Sequence, residues 1–111
     1  MLAGKLIEVW LPIALGVVMI GAGVVNFVGP RSVRDSFARW GYPAGFHRVT
    51  GGIEVTAGLL LLIPATSRAG AIGSAAILLA AVMTLIRHRD WTHLPGAVVL
   101  TAVAVAVTIR G

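Results

Sequence analysis

Four stretches of this chain carry little or no charge: residues 9–30, 49–67, 69–86 and 91–109. A helix rises about 1.5 Å per residue, so roughly 20 apolar residues cross about 30 Å of hydrocarbon. Each stretch is close to that length. Charged residues make up only 12% of the 111, where a soluble domain carries about a quarter. The polar residues that remain cannot cover a water-soluble globule. Inside lipid every backbone N–H and C=O must be bonded within the protein, which a helix does by itself. The expected fold is therefore all-α: an integral membrane antiparallel four-helix bundle forming one transmembrane domain, residues 1–111.

Punctuation along the chain sets the expected helices at residues 8–28, 45–63, 68–87 and 94–110. Pro12 falls in the first turns of the first, where proline costs little. Gly16, Gly21 and Gly23 give that helix a thin face for close contact, and Gly29-Pro30 ends it. Residues 31–40 repeat Val33, Phe37 and Trp40 at helical spacing, with Arg31, Arg34, Asp35 and Arg39 between them. That pattern predicts a short amphipathic helix lying in the interface, with a re-entrant segment as the alternative. Arg39, Trp40, Tyr42 and Arg48 are the expected interfacial residues, because such side chains favour the headgroup level. On the third helix Ala69 with Gly73, Gly70 with Ser74, and Ala76 with Ala80 are small pairs four apart.

Net charge is +5. In a membrane chain such an excess reads as a topology signal and headgroup contact, and no nucleic-acid partner is expected. Arg31, Arg34, Arg39, Arg48, Arg87 and Arg89 fall on one side of the expected bundle, and Lys5, Arg68 and Arg110 on the other. Six against three places the two long-side connections in the cytoplasm and both termini outside. The first apolar run exceeds a secretory core of about 7 to 15 residues and is expected to be a retained helix. There is no cysteine, which excludes disulfides, thiol redox chemistry and cysteine-ligated iron–sulfur clusters.

Glu54 stands midway along the second expected helix, at a depth where insertion of an acidic group costs roughly 2.5 to 3.5 kcal/mol. It is expected to face the bundle interior. Thr50 and Gly58 lie four residues either side and His47 seven before, so its face is small and polar. That face is either a tight packing seam or the wall of a cavity. Candidate binding residues are Glu54, His47, Thr50, Asn26, Thr84 and Ser74. Glu54 either fixes helix registry by a hydrogen bond or handles a ligand or proton. The hydroxyls of Thr84, Ser74 and Thr101 are expected to bond their own helix backbone. His88 and His93 have no ligand-set spacing, so no metal site is expected. No Ser–His–Asp, P-loop or dinucleotide-binding pattern occurs.

Three segments, FARWGYP, HRVTGGIEVTAGLLLLIP and RAGAIGSAAILLAAVMTLIRHRD, resemble the DoxX-like family of small four-helix bacterial membrane proteins. The resemblance rests on Gly41 and Pro43, on Thr50, Gly51 and Glu54, and on Ile63 and Pro64. It implies a multi-pass protein of the bacterial inner membrane. The family name comes from a subunit linked to a thiosulfate:quinone oxidoreductase, and some relatives associate with redox or stress partners. Many relatives carry a basic residue where this chain has Asn26, and a histidine where it has Leu85.

Three functions are held side by side. The first is an accessory subunit, or a binder of a small amphiphile such as a quinone, without catalysis of its own. The second is a subunit of a quinone-linked oxidoreductase. The third is a small transporter or proton pathway acting as an oligomer. Expected partners are the bilayer and either a redox protein or further copies of the chain; quinone is the one cofactor suggested.

Overall fold

Pro12 introduces the first departure from the expected fold. A computed structural model describes residues 2–110 and places α1 at Leu2–Lys5, a π-helical turn at Leu6–Trp10 and α2 at Leu11–Val28. The backbone stays helical through Lys5, Trp10 and Leu11, so Pro12 lies inside one continuous helix rather than in its first turns. A proline there would strike the carbonyl four residues back. The π turn relieves that clash: Leu11 N–H reaches back to the Leu6 carbonyl, widening the turn ahead of the ring.

After Gly29-Pro30 come α3 (Arg31–Arg39), α4 (Phe46–Leu62), one 3-10 turn (Pro64–Thr66), α5 (Ser67–Arg87) and α6 (Leu94–Ile109). No strand occurs among the described residues. The end of α4 follows from sequence: Ile63 is extended (φ −101°, ψ 117°), as the residue before a proline prefers. With 17 residues, α4 is about 26 Å long, shorter than the 45–63 span expected. None of the residues of α3 is buried, which argues against the re-entrant alternative.

Helices α2 and α4 run antiparallel at very short range. A Cβ on Gly16 would collide with the Gly58 carbonyl, and one on Gly23 with the Gly51 carbonyl and the Val55 backbone. The reciprocal contacts hold for Gly58 and Gly51. Residues seven apart differ by about 20° around a helix, so each pair forms one line on its helix. Gly21 is about 140° from Gly16 and has open space beside it, so it is not part of the contact face.

On an adjoining face of α4, Gly70 of α5 meets the backbone of Ala57 and Leu61. Of the small pairs on α5, Gly70 and Ser74 are buried, whereas Ala76 and Ala80 are exposed. Arg68 Nη2 donates to the Arg110 carbonyl at 2.7 Å, and Arg110 also donates to the Ser67 hydroxyl. These bonds tie the start of α5 to the end of α6.

The core draws on all four long helices: Leu15 and Met19 from α2, Leu61 from α4, Ala71 and Leu78 from α5, Ala104 and Val107 from α6. The outward faces are apolar too, with Val17, Val24, Ile53, Leu59, Ile72, Leu79, Met83 and Val99 exposed. The helical segments Glu8–Val28 and Pro64–Arg87 are long and apolar enough to cross a membrane, each with mean hydropathy 2.2. Leu94–Ile109 is apolar but shorter.

Candidate functional site

The end of α2 has a gap in its own hydrogen bonding. The Asn26 carbonyl would accept from the N–H of residue 30, but residue 30 is proline and has none. His47, in the first turn of α4, fills the gap: its Nδ1 lies 2.8 Å from that carbonyl. A carbonyl only accepts, so Nδ1 carries the proton. Gly29 makes the approach possible. It closes α2 with φ 65°, its N–H bonded to the Val25 carbonyl at 2.9 Å, and any Cβ there would collide with the His47 ring. Arg34 Nε donates to the Gly29 carbonyl at 2.9 Å and ties α3 to the same corner.

The Asn26 side chain turns the other way. Its Nδ2 donates to Glu54 Oε1 at 2.5 Å, across the α2–α4 contact. Glu54 is 7% exposed and His47 likewise 7%. The deep acid therefore faces inward, its carboxyl held by an amide from the neighbouring helix. Of the two forms open to the Glu54 face, the structure has the packing seam: Gly23 and Gly51 bring the backbones together beside it.

Thr50 is half-buried and lies outside this hydrogen-bonded set. Thr84 departs from the expected bond to its own helix. Its Oγ1 is 2.6 Å from Tyr42 Oη, which joins the α3–α4 connection to α5. Ser74 is fully buried, and its hydroxyl has no partner. Thr101 does bond its own helix, donating to the Ala97 carbonyl at 2.7 Å. The six candidates thus fall into three groups: Asn26, Glu54 and His47 together, Thr84 with Tyr42, and Thr50 and Ser74 apart.

Among the expected interfacial residues, Tyr42 stacks on Phe46 with ring centres 4.7 Å apart. Its hydroxyl is turned toward Thr84 rather than left free for headgroups. The half-buried Trp40 packs on Phe37 at 5.4 Å, and its indole N–H has no partner. Arg39 and Arg48 are exposed. Arg39 Nη2 lies 3.7 Å from Asp90, whose carboxyl also accepts from His93 Nδ1 at 2.9 Å. His93 as donor, the chief cause, holds the Asp90 carboxyl below its ordinary range, with Coulombic help from His93 and Arg39. No cluster of three metal-ligating side chains occurs among the described residues.

Two grooves flank α4 on its outer side. One, about 490 Å³, is lined by Arg48, Gly52, Thr56 and Leu60 of α4 with Ala69 and Gly73 of α5, among others. The other, about 310 Å³, is lined by Val24, Phe27 and Val28 of α2 with Gly52 and Val55 of α4. Glu54 lines neither. Sequence reasoning missed the His47 cap and the Tyr42–Thr84 bond. The spacing of Asn26 to Pro30 was the available signal for the first; the second joins distant segments and leaves no local trace.

A family model described as the DoxX-like family matches residues 10–107. No curated protein and no solved structure matches the chain.

Proposed function

From its membership of the DoxX-like family, to which this chain belongs, we propose a multi-pass four-helix bundle of the bacterial inner membrane that binds rather than transforms. Its role is that of an accessory subunit to a redox or stress-response partner. The observation that carries this reading is the state of Glu54. The one deep acid is bonded to Asn26 and lines neither groove, so its hydrogen bonding is spent on registry between α2 and α4. The apolar outward faces support lipid as the solvent, since water would penalise so many exposed Val, Leu and Ile side chains. The arginine-rich end, which carries α3 and the α5–α6 connection, is the cytoplasmic one, and both termini are outside.

The test is isolation of the tagged full chain from gently solubilised membranes. A stoichiometric oxidoreductase subunit with quinone-reducing activity should come with it. Recovery of the chain alone, under conditions that keep other membrane complexes whole, contradicts the accessory role.

A second reading, binding of a quinone-type amphiphile, is favoured by the smaller groove. Its lining residues Phe27 and Val55 are the chain neighbours of Asn26 and Glu54, so an apolar ring seated there covers the helix faces beside the polar pair. A quinone-dependent rise in melting temperature that Glu54→Leu removes supports it; no shift at saturating quinone contradicts it.

A further inference from the structure

The larger groove has a charge at one end and none along its length. Arg48, Gly52, Thr56 and Leu60 recur every four residues, forming one stripe along α4, with Ala69 and Gly73 of α5 as the facing wall. Arg48 sits in the first turn of α4, and among the described residues it has no ion-pair partner. From Arg48 to Leu60 the stripe runs about 18 Å along the helix. One leaflet of hydrocarbon is roughly 15 Å deep, half of the whole core. With Glu54 midway along α4, the groove starts near headgroup level at Arg48 and continues about 9 Å past the bilayer centre to Leu60.

We propose that this groove is a binding site for one anionic phospholipid of the arginine-rich leaflet. The phosphate pairs with Arg48, and one acyl chain lies over Gly52 and against Gly73. The inference rests on the membrane-spanning reading above and goes beyond it by naming a ligand class and a site. Charge selects the occupant. The same end of the protein carries Arg31, Arg34, Arg39, Arg87 and Arg89 against Asp35 and Asp90, and Asp90 is already held by His93 and Arg39. A second copy docked on this groove would bring mostly like charge to Arg48. A phosphate brings the opposite charge, and guanidinium groups suit it well. Gly52 and Gly73 leave the width that a chain of methylenes needs.

The experiment is native mass spectrometry of the full chain in detergent, titrated separately with phosphatidylglycerol and phosphatidylcholine. Wild type should retain phosphatidylglycerol in preference. Arg48→Gln should reduce that preference about fivefold, the effect of one cation near a lipid surface. Gly52→Leu should weaken retention of both lipids. An added Cβ at Gly52 meets nothing within 4 Å, so the new side chain starts in open space; Gly52 also lines the smaller groove, and the Arg48→Gln arm assigns the loss to the larger one. Unchanged melting of both variants confirms that they fold. Equal retention of the two lipids by wild type, an unaltered preference in Arg48→Gln, or unaltered retention of both lipids by Gly52→Leu overturns the proposal. So does a lipid-free dimer that Gly52→Leu dissociates. A chain that stays soluble and folded without detergent overturns the membrane reading itself, which separates that failure from loss of the lipid site alone.

Discussion

His47 Nδ1 donates to the Asn26 carbonyl 21 residues earlier in the chain, at 2.8 Å, and so occupies the acceptor that Pro30 leaves empty. The same residue, Asn26, uses its side chain to hold Glu54. One asparagine thus links the end of α2 to two positions of α4, two turns apart. Helix α2 ends where α4 can complete it.

The amide–carboxyl pair makes a prediction of its own. Glu54→Gln keeps an acceptor for Asn26 Nδ2 and should melt close to wild type. Glu54→Leu strands the amide and should cost roughly 1 to 2 kcal/mol, the upper range for interhelical hydrogen bonds in membranes. Adding Asn26→Leu to Glu54→Leu should recover part of that loss. Reversible unfolding in mixed micelles gives the coupling energy, and a strictly additive cycle would mean that the pair contributes nothing.

The glycine contacts separate positions that look alike in sequence. Gly23→Ala forces a Cβ onto the Gly51 carbonyl and the Val55 backbone, and overpacking of this kind costs about 1 to 3 kcal/mol. Gly21→Ala meets nothing within 4 Å and should stabilise by up to about 1 kcal/mol through helix propensity. Melting temperatures of the two variants should move in opposite directions.

Gly29 and His47 are expected to be non-additive. Gly29→Ala places a side chain in left-handed backbone (φ 65°) and against the imidazole; the backbone part alone is roughly 1 to 2 kcal/mol. In a His47→Ala background the collision is gone and only the backbone part remains. The double variant should therefore be more stable than the sum of the singles requires, as measured by chemical denaturation.

Asp90 carries a pH dependence whose direction follows from its partners. Its carboxyl is lowered from the ordinary 3.8, first by the hydrogen bond from His93. A group depressed in the folded state contributes stability above its unfolded value, and loses it as pH falls through the folded value. The contacts of the α5–α6 connection with Arg39 should hold above about pH 3.8 and loosen on further acidification. Trp40 and Trp91 fluorescence should report that loosening. Asp90→Asn should flatten the change.

Much of the architecture was legible because lipid-length apolar runs and Gly-Pro punctuation are local signals. The ends of α2 at Gly29 and of α4 before Pro64 follow from such signals. So does the amphipathic spacing of Val33 and Phe37 in α3. Glu54 turning inward was legible from the cost of a carboxyl in hydrocarbon. What sequence left open depended on pairing between distant segments. Gly16, Gly21 and Gly23 look equivalent until the partner helix selects the two that are seven apart. Tyr42 reads as a headgroup anchor until Thr84 offers it a hydroxyl. Pro12 reads as a helix start until a π turn carries the chain past it. His47 reads as a site residue, yet its contact is with the carbonyl that a proline orphaned.

The central claim is four crossings, with the arginine-rich end in the cytoplasm. Because the chain has no cysteine, single replacements report sidedness without background. Ala38→Cys, Ala65→Cys and Thr92→Cys lie at exposed positions in three connections. In intact cells an impermeant maleimide should label position 65, and positions 38 and 92 should react only after the membrane is opened. Labelling of all three from the same side, or release of the chain from membranes by alkaline carbonate, would contradict the account.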